Sequence, residues 1–171
     1  MDLGLRGRVA IISGSSKGMG KSIALALALE GANVVLSSRD ETILRKAEID
    51  IARETSQHNV LAIPANMADA DDIRRVVRGA YNRFGRLDIV VNNIGDWVSG
   101  SPSETQDDEL LEILQKNYFS VVRVCREIIP YMRQQQWGRI INRLSISVKE
   151  ITETPSLSNT GDMAIVGYSK L

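Results

Sequence analysis

The stretch "SGSSKGMGKS", Ser13 to Ser22, carries the first chemistry legible in this chain of 171 residues. Gly14, Gly18 and Gly20 permit a tight turn and a close backbone approach, and the free N–H groups at the start of a helix favour an anion. A loop of this kind, running from an apolar strand into a helix, predicts a pyrophosphate site, with Ser16, Lys17 and Met19 among its residues. "GMGKS" also resembles the end of a P-loop. That motif would need glycine where Ser15 stands and a strand ending in aspartate to hold magnesium, whereas Asp88 precedes its strand. Nucleotide hydrolysis is therefore disfavoured.

The second stretch is "VVLSSRDE". A carboxylate at a strand tip of this kind would hold the ribose 2′-hydroxyl of NAD, but Ser38 and Arg39 occupy it. Arg39, joined by Lys17, suits a 2′-phosphate, and each charge-assisted bond contributes about 1.5–3 kcal/mol, a preference of roughly 10- to 100-fold. The expected cofactor is NADP, with NAD the less favoured choice. The third stretch is the closing "GDMAIVGYSKL", where Tyr168 and Lys170 raise the question of a phenol whose acidity a nearby cation adjusts.

Elements must position these groups. Short apolar runs at Arg8–Ser13, Asn33–Ser38, Val60–Pro64, Leu87–Asn93 and Gly138–Ser145 read as strands. Several of them are nearly continuous in Val, Ile and Leu, which predicts parallel strands covered on both faces. Helical patterns fall between them at Gly18–Glu30, Glu41–Thr55, Asp69–Phe84 and Asp107–Arg133, and the last is expected to end or kink at Pro130. A further helix starts near Asn159. The alternation predicts one open α/β domain over residues 1–171, apparently cut short after the fifth strand.

Composition narrows the function classes. Hydrophobic residues make up 43% and charged residues 25%, with a formal net charge of zero, so no broad nucleic-acid or anionic-membrane surface is expected. The apolar run Ile23–Leu29 is too short to cross a bilayer, and the opening residues lack a secretory leader pattern, so a soluble cytoplasmic protein is expected. Cys125 is the only cysteine and reads as a structural thiol on a helix face. His58, the only histidine, reads as a loop residue, so no metal site is expected.

In order and spacing, these motifs resemble the short-chain dehydrogenase/reductase family, of the type that includes 3-oxoacyl carrier-protein reductases and glucose dehydrogenases. "SGSSKGMG" is similar to its Thr-Gly-x-x-x-Gly-x-Gly loop, with Ser13 for the threonine. "NMAD" resembles the Asp-Val-Thr-Asp segment, which puts Asn66 and Met67 near adenine. "NNIG" resembles Asn-Asn-Ala-Gly, bringing Asn93 and Gly95 to the cofactor with Ile94 as the departure. "QKNYFSVV" puts Asn117 at the active-site asparagine, and "GRIINRLS" puts Ser145 at the catalytic serine. The resemblance implies a Rossmann-type doubly wound parallel sheet and hydride transfer between nicotinamide and a small-molecule carbonyl or alcohol. It also implies a homodimer or homotetramer, and an entrance lined by Ile94, Asp96 and Trp97.

The pattern breaks at the proton donor. The family's usual spacing from Ser145 reaches Ser158 for the tyrosine and Asp162 for the lysine. Its later Gly-Phe/Leu-x-Lys landmark matches "GYSK" at Gly167, which anchors the ungapped count on both sides. The alternative, an insertion after Ser145, would make Tyr168 the acid and place its lysine beyond Leu171. Lys149 or Glu150, in the polar segment after Ser145, could in principle supply a proton. Two functions follow: an oxidoreductase with an atypical proton donor, or a cofactor-binding homologue impaired in catalysis that serves as sensor or partner subunit.

Overall fold

The computed structural model describes residues 2–55, 59–93, 95–96, 98–101, 103–150 and 156–171, so His58, Ile94 and Trp97 lie outside the described residues. Strands β1 (Val9–Ser13), β2 (Asn33–Ser38), β3 (Val60–Pro64), β4 (Ile89–Asn92) and β5 (Arg139–Asn142) form one parallel sheet in the order β3-β2-β1-β4-β5. β1 is buried at every position, as its unbroken apolar run requires when both sheet faces are covered. On one face Val9, Ile11, Val35 and Val90 join the core of α3 (Ala70–Phe84) and α5 (Ser120–Gln134). On the other, Ala10, Ile12, Val34, Leu36 and Val91 meet α1 (Gly18–Leu29) and α2 (Glu41–Thr55). α3 presents Ile73, Val76, Val77 and Ala80 at helical spacing, and burying each of its larger side chains contributes about 1.5–3 kcal/mol. Asp69 caps that helix, accepting from the N–H groups of Asp71 and Asp72, and Gly85 ends it at φ 72°.

Two expectations about the elements are corrected. The single helix expected over Asp107–Arg133 is α4 (Asp107–Leu114), a π-helical turn at Gln115–Phe119, and then α5. Pro130 neither ends nor replaces a turn of α5, which runs on to Gln134. The missing N–H at Pro130 costs one helical bond, but buried Ile128 and Met132 on either side tie the helix to the core. The fifth strand is shorter than expected and is not covered on both faces: Arg139, Ile140 and Ile141 are exposed. It is an edge strand, and among the described residues no strand pairs with its outer side.

The remaining elements stand at the carboxyl edge of the sheet. A short 3-10 turn, Ile146–Val148, follows β5, and α6 (Ser158–Tyr168) packs onto the π turn and α4. No helix among the described residues is long and apolar enough to cross a membrane.

Candidate functional site

At the carboxyl edge the strand order reverses between β1 and β4, the position at which open α/β sheets form a crevice. Ser13 ties the two strands together: its Oγ donates to Val91 O (3.1 Å) and accepts from Asn93 N–H (2.8 Å). Asn93 Nδ2 donates in turn to the carbonyls of Ser13 (3.2 Å) and Gly14 (3.4 Å). Ser15 secures the other side, with its Oγ accepting from Ser37 N–H at 2.9 Å. Gly14 has φ +62°, and a Cβ there would stand 3.0 Å from the Asn93 carbonyl, so the loop needs glycine for both conformation and space.

The cleft that results has a volume of about 360 Å³ and is lined by Gly14, Ser16, Lys17, Ser38, Arg39, Asn66, Met67, Asn93 and Gly95, with Ser37, Asp96 and Lys116. The structure thus brings these predicted cofactor residues together. Gly18, Met19 and Gly20 lie in the first turn of α1 beside the cleft rather than on its wall, and the Met19 side chain is exposed. The Met67 side chain belongs to the core, which leaves its backbone to face the cleft. Ser37 Oγ and Asn93 Oδ1 are buried here without a hydrogen-bond partner. Such atoms are costly unless a ligand satisfies them, so the residues present fit a dinucleotide. Neither Lys17 nor Arg39 has an ion-pair partner among the described residues.

Asn117, Ser145, Ser158 and Asp162 also converge, though each is occupied. Buried Asn117 sits in the π turn and exchanges two hydrogen bonds with the backbone of Asp96, both at 3.1 Å. Ser158 donates its hydroxyl proton to Asp96 O (2.6 Å) and accepts from Val98 N–H (2.9 Å). The Asp162 carboxylate accepts from Ser145 N–H at 3.0 Å. The Ser145 hydroxyl accepts from Ser147 N–H at 3.3 Å, which leaves its own proton to donate. Gly161 makes the close approach possible, since a Cβ there would lie 2.8 Å from Asn117 Cβ. Lys149 and Glu150 are exposed beyond the 3-10 turn.

Tyr168 lies elsewhere, at the far end of α6, with its ring edge-on to Tyr118 in an apolar cluster with Cys125 and Ile165. Burial there, followed by Cys125 and Tyr118, pushes its hydroxyl above the ordinary tyrosine range, away from that of a proton donor at neutral pH. One residue of the site was passed over in the sequence. Arg143 follows β5 directly, and its guanidinium faces Gly95. A charged residue set between Asn142 and Leu144 in a strand-end run was the available signal.

The model of the short chain dehydrogenase family matches residues 8–157. The chain belongs to that family. An uncharacterised oxidoreductase of Staphylococcus aureus is 30% identical over 161 residues, covering 94% of this chain and 68% of the relative. The structure of L-sorbose reductase from Gluconobacter frateurii, complexed with NADPH and L-sorbose, superposes with a TM-score of 0.94 at 31% identity, over 99% of this chain and 64% of that one. An actinorhodin polyketide ketoreductase with NADPH gives a TM-score of 0.88 at 27% identity, over 95% of this chain and 62% of that one. This chain therefore spans a little under two thirds of the length of those two solved short chain dehydrogenases.

Proposed function

We propose that this chain binds NADP along the carboxyl edge of its sheet, in an oxidoreductase that acts on the carbonyl or alcohol group of a small molecule. The observation that carries the reading is the cleft between β1, β2 and β4. It combines a glycine-lined anion site, two orphaned polar atoms and two unpaired cations beside Ser38. Gly14, Ser16 and the first turn of α1 would hold the pyrophosphate, Arg39 and Lys17 the 2′-phosphate, and Asn66 the adenine side. When bound, the cofactor supplies hydride exchange at its nicotinamide. The chain itself contributes the Ser145 hydroxyl as a donor to the substrate oxygen, and Asn117 fixes the Asp96 backbone. A cytoplasmic location and a homodimer or homotetramer built through α4, α5 and α6 belong to the same reading. Exposed Leu111, Phe119 and Met163 on that side support the oligomer.

Cofactor choice is tested by fluorescence titration of NADPH and NADH. Arg39→Ala is expected to weaken NADPH by about 10- to 100-fold and to leave NADH nearly unchanged. Equal losses for both cofactors would contradict the 2′-phosphate assignment. A second reading, a cofactor-binding homologue impaired in catalysis, is favoured by Ser158, whose hydroxyl is committed to Asp96 O where the family has a phenol. A screen of carbonyl compounds decides between them. NADPH oxidation that collapses in Ser145→Ala supports the enzyme, and NADPH binding without turnover supports the second reading.

A further inference from the structure

Arg143 N–H donates to Asn92 O at 3.0 Å, which extends the β4–β5 ladder and sets Arg143 beside Asn93 at the sheet edge. Strand alternation sends its side chain to the face opposite Asn142, whose own amide is bonded to Asn92 and Ser169. Its Nε is buried without a hydrogen-bond partner, and no carboxylate among the described residues forms an ion pair with it. A Cβ built on Gly95 would be 3.7 Å from Arg143 Nη2 and 3.9 Å from Asn117 Cγ, so the guanidinium and the Asn117 amide face the same point.

The Nε of Arg143 is buried and lacks an acceptor, a costly state for a donor on a charged guanidinium, while the residue as a whole is half-buried. The nearby acids are turned to other partners: the Asp96 carboxylate lies 3.5 Å from Lys116 Nζ, and Asp162 holds Ser145 N–H. The acceptor that Nε lacks therefore comes from outside the chain, and the guanidinium's charge favours an anion in that place. The dinucleotide's phosphates are served elsewhere, at the β1–α1 loop and beyond β2, whereas Arg143 follows β5, with β4 lying between it and β1.

We propose that Arg143 is a specificity-determining residue that grips the carboxylate of an oxo- or hydroxy-carboxylic acid, with that acid's reacting oxygen turned to Ser145. This rests on the oxidoreductase reading above. The planar fork of donors matches the two oxygens of a carboxylate. Ser145 is two residues on from Arg143, a reach of about 7 Å along extended chain, so the acid and the reacting carbonyl sit a few bonds apart on a small molecule.

The test uses the protein loaded with NADPH and three oxo acids of increasing length, pyruvate, acetoacetate and levulinate, each paired with its neutral methyl ester. Binding is read by calorimetry, independently of turnover. At least one acid is expected to bind more tightly than its ester. Arg143→Gln should abolish that preference with a loss of about 10- to 100-fold, Arg143→Lys should retain part of it, and NADPH affinity should stay the same in all three proteins. If Arg143→Gln fails to fold, Arg143→Lys, which keeps the charge but loses the fork, carries the comparison. The proposal is overturned if no acid is preferred over its ester, if the preference survives Arg143→Gln, or if that variant weakens NADPH as much as the acid. The last result would assign the guanidinium to a cofactor phosphate. Failure of wild type to bind NADPH would instead overturn the cofactor reading, and this proposal with it.

Discussion

Asp88 stands at the amino end of β4, fully buried, and receives hydrogen bonds from Arg86 (2.7 Å), Val9 N–H (2.9 Å) and Arg8 (2.9 Å). Burial opposes its charged form, but the bonds from Arg86, Val9 and Arg8 together outweigh burial and hold the carboxyl below its usual range. A carboxylate depressed in the folded state stabilises fully above its unfolded value, about 3.9, and that stabilisation is lost as pH falls through the folded value. Asp88→Asn is expected to cost about 1.5–3 kcal/mol in urea unfolding at pH 7. The difference from wild type should shrink below about pH 4, and a difference that is constant from pH 7 to pH 3 would rule this account out. At this scale legibility was uneven. Gly14, Lys17 and Arg39 announced themselves because a loop's backbone needs and its charges are local. The bonds from Arg8 and Val9 to Asp88 and the isolation of Arg143 were hidden because they depend on strands distant in sequence.

Helix α1 is tied to its loop by how closely the backbone packs. A Cβ on Gly20 would fall 2.7 Å from Asn93 Nδ2 and inside contact distance of the Gly14 carbonyl. Gly20→Ala must therefore displace the β1–α1 loop, at an expected cost of about 1–3 kcal/mol in thermal unfolding together with weaker NADPH binding. Gly167→Ala in α6 is the control, since a Cβ there meets nothing within 4 Å, and it should stabilise by about 0.5–1 kcal/mol. Equal effects of the two changes would rule out a steric role for Gly20. The alternation of strands and helices was plain in the sequence because apolar periodicity is a local signal. The π turn was not, since no residue type in "QKNYF" marks it, and α5 continues past Pro130 to Gln134 with buried Ile128 and Met132 holding it to the core.

Among the described residues the buried unsatisfied side-chain atoms gather at one margin of the sheet: Ser37 near the end of β2, Asn93 just after β4 and Arg143 just after β5. Its open flank is apolar, with Ile140 and Ile141 exposed at 37% and 49%. That exposure was not readable, because an apolar run looks the same whether or not a neighbour covers it. An uncovered strand of this kind invites association. Ile141→Lys is expected to reduce concentration-dependent association in sedimentation while changing stability by less than about 0.5 kcal/mol. Unchanged sedimentation at all concentrations would exclude this edge as a contact.

The π turn bears on how this sequence can vary. It holds an extra residue over the path an α-helix would take, and Asn117 meets Asp96 because of that surplus. Exchanging one side chain for another along Gln115–Phe119 leaves the phase of the helix untouched. Losing one codon there would return the path to an ordinary α-helix, with the flanking turns still in phase, and remove the bulge that holds Asn117 against Asp96. Viable variants should therefore differ in spelling through this segment and never in length, so an alignment gap inside it would by itself mark a site that has been dismantled.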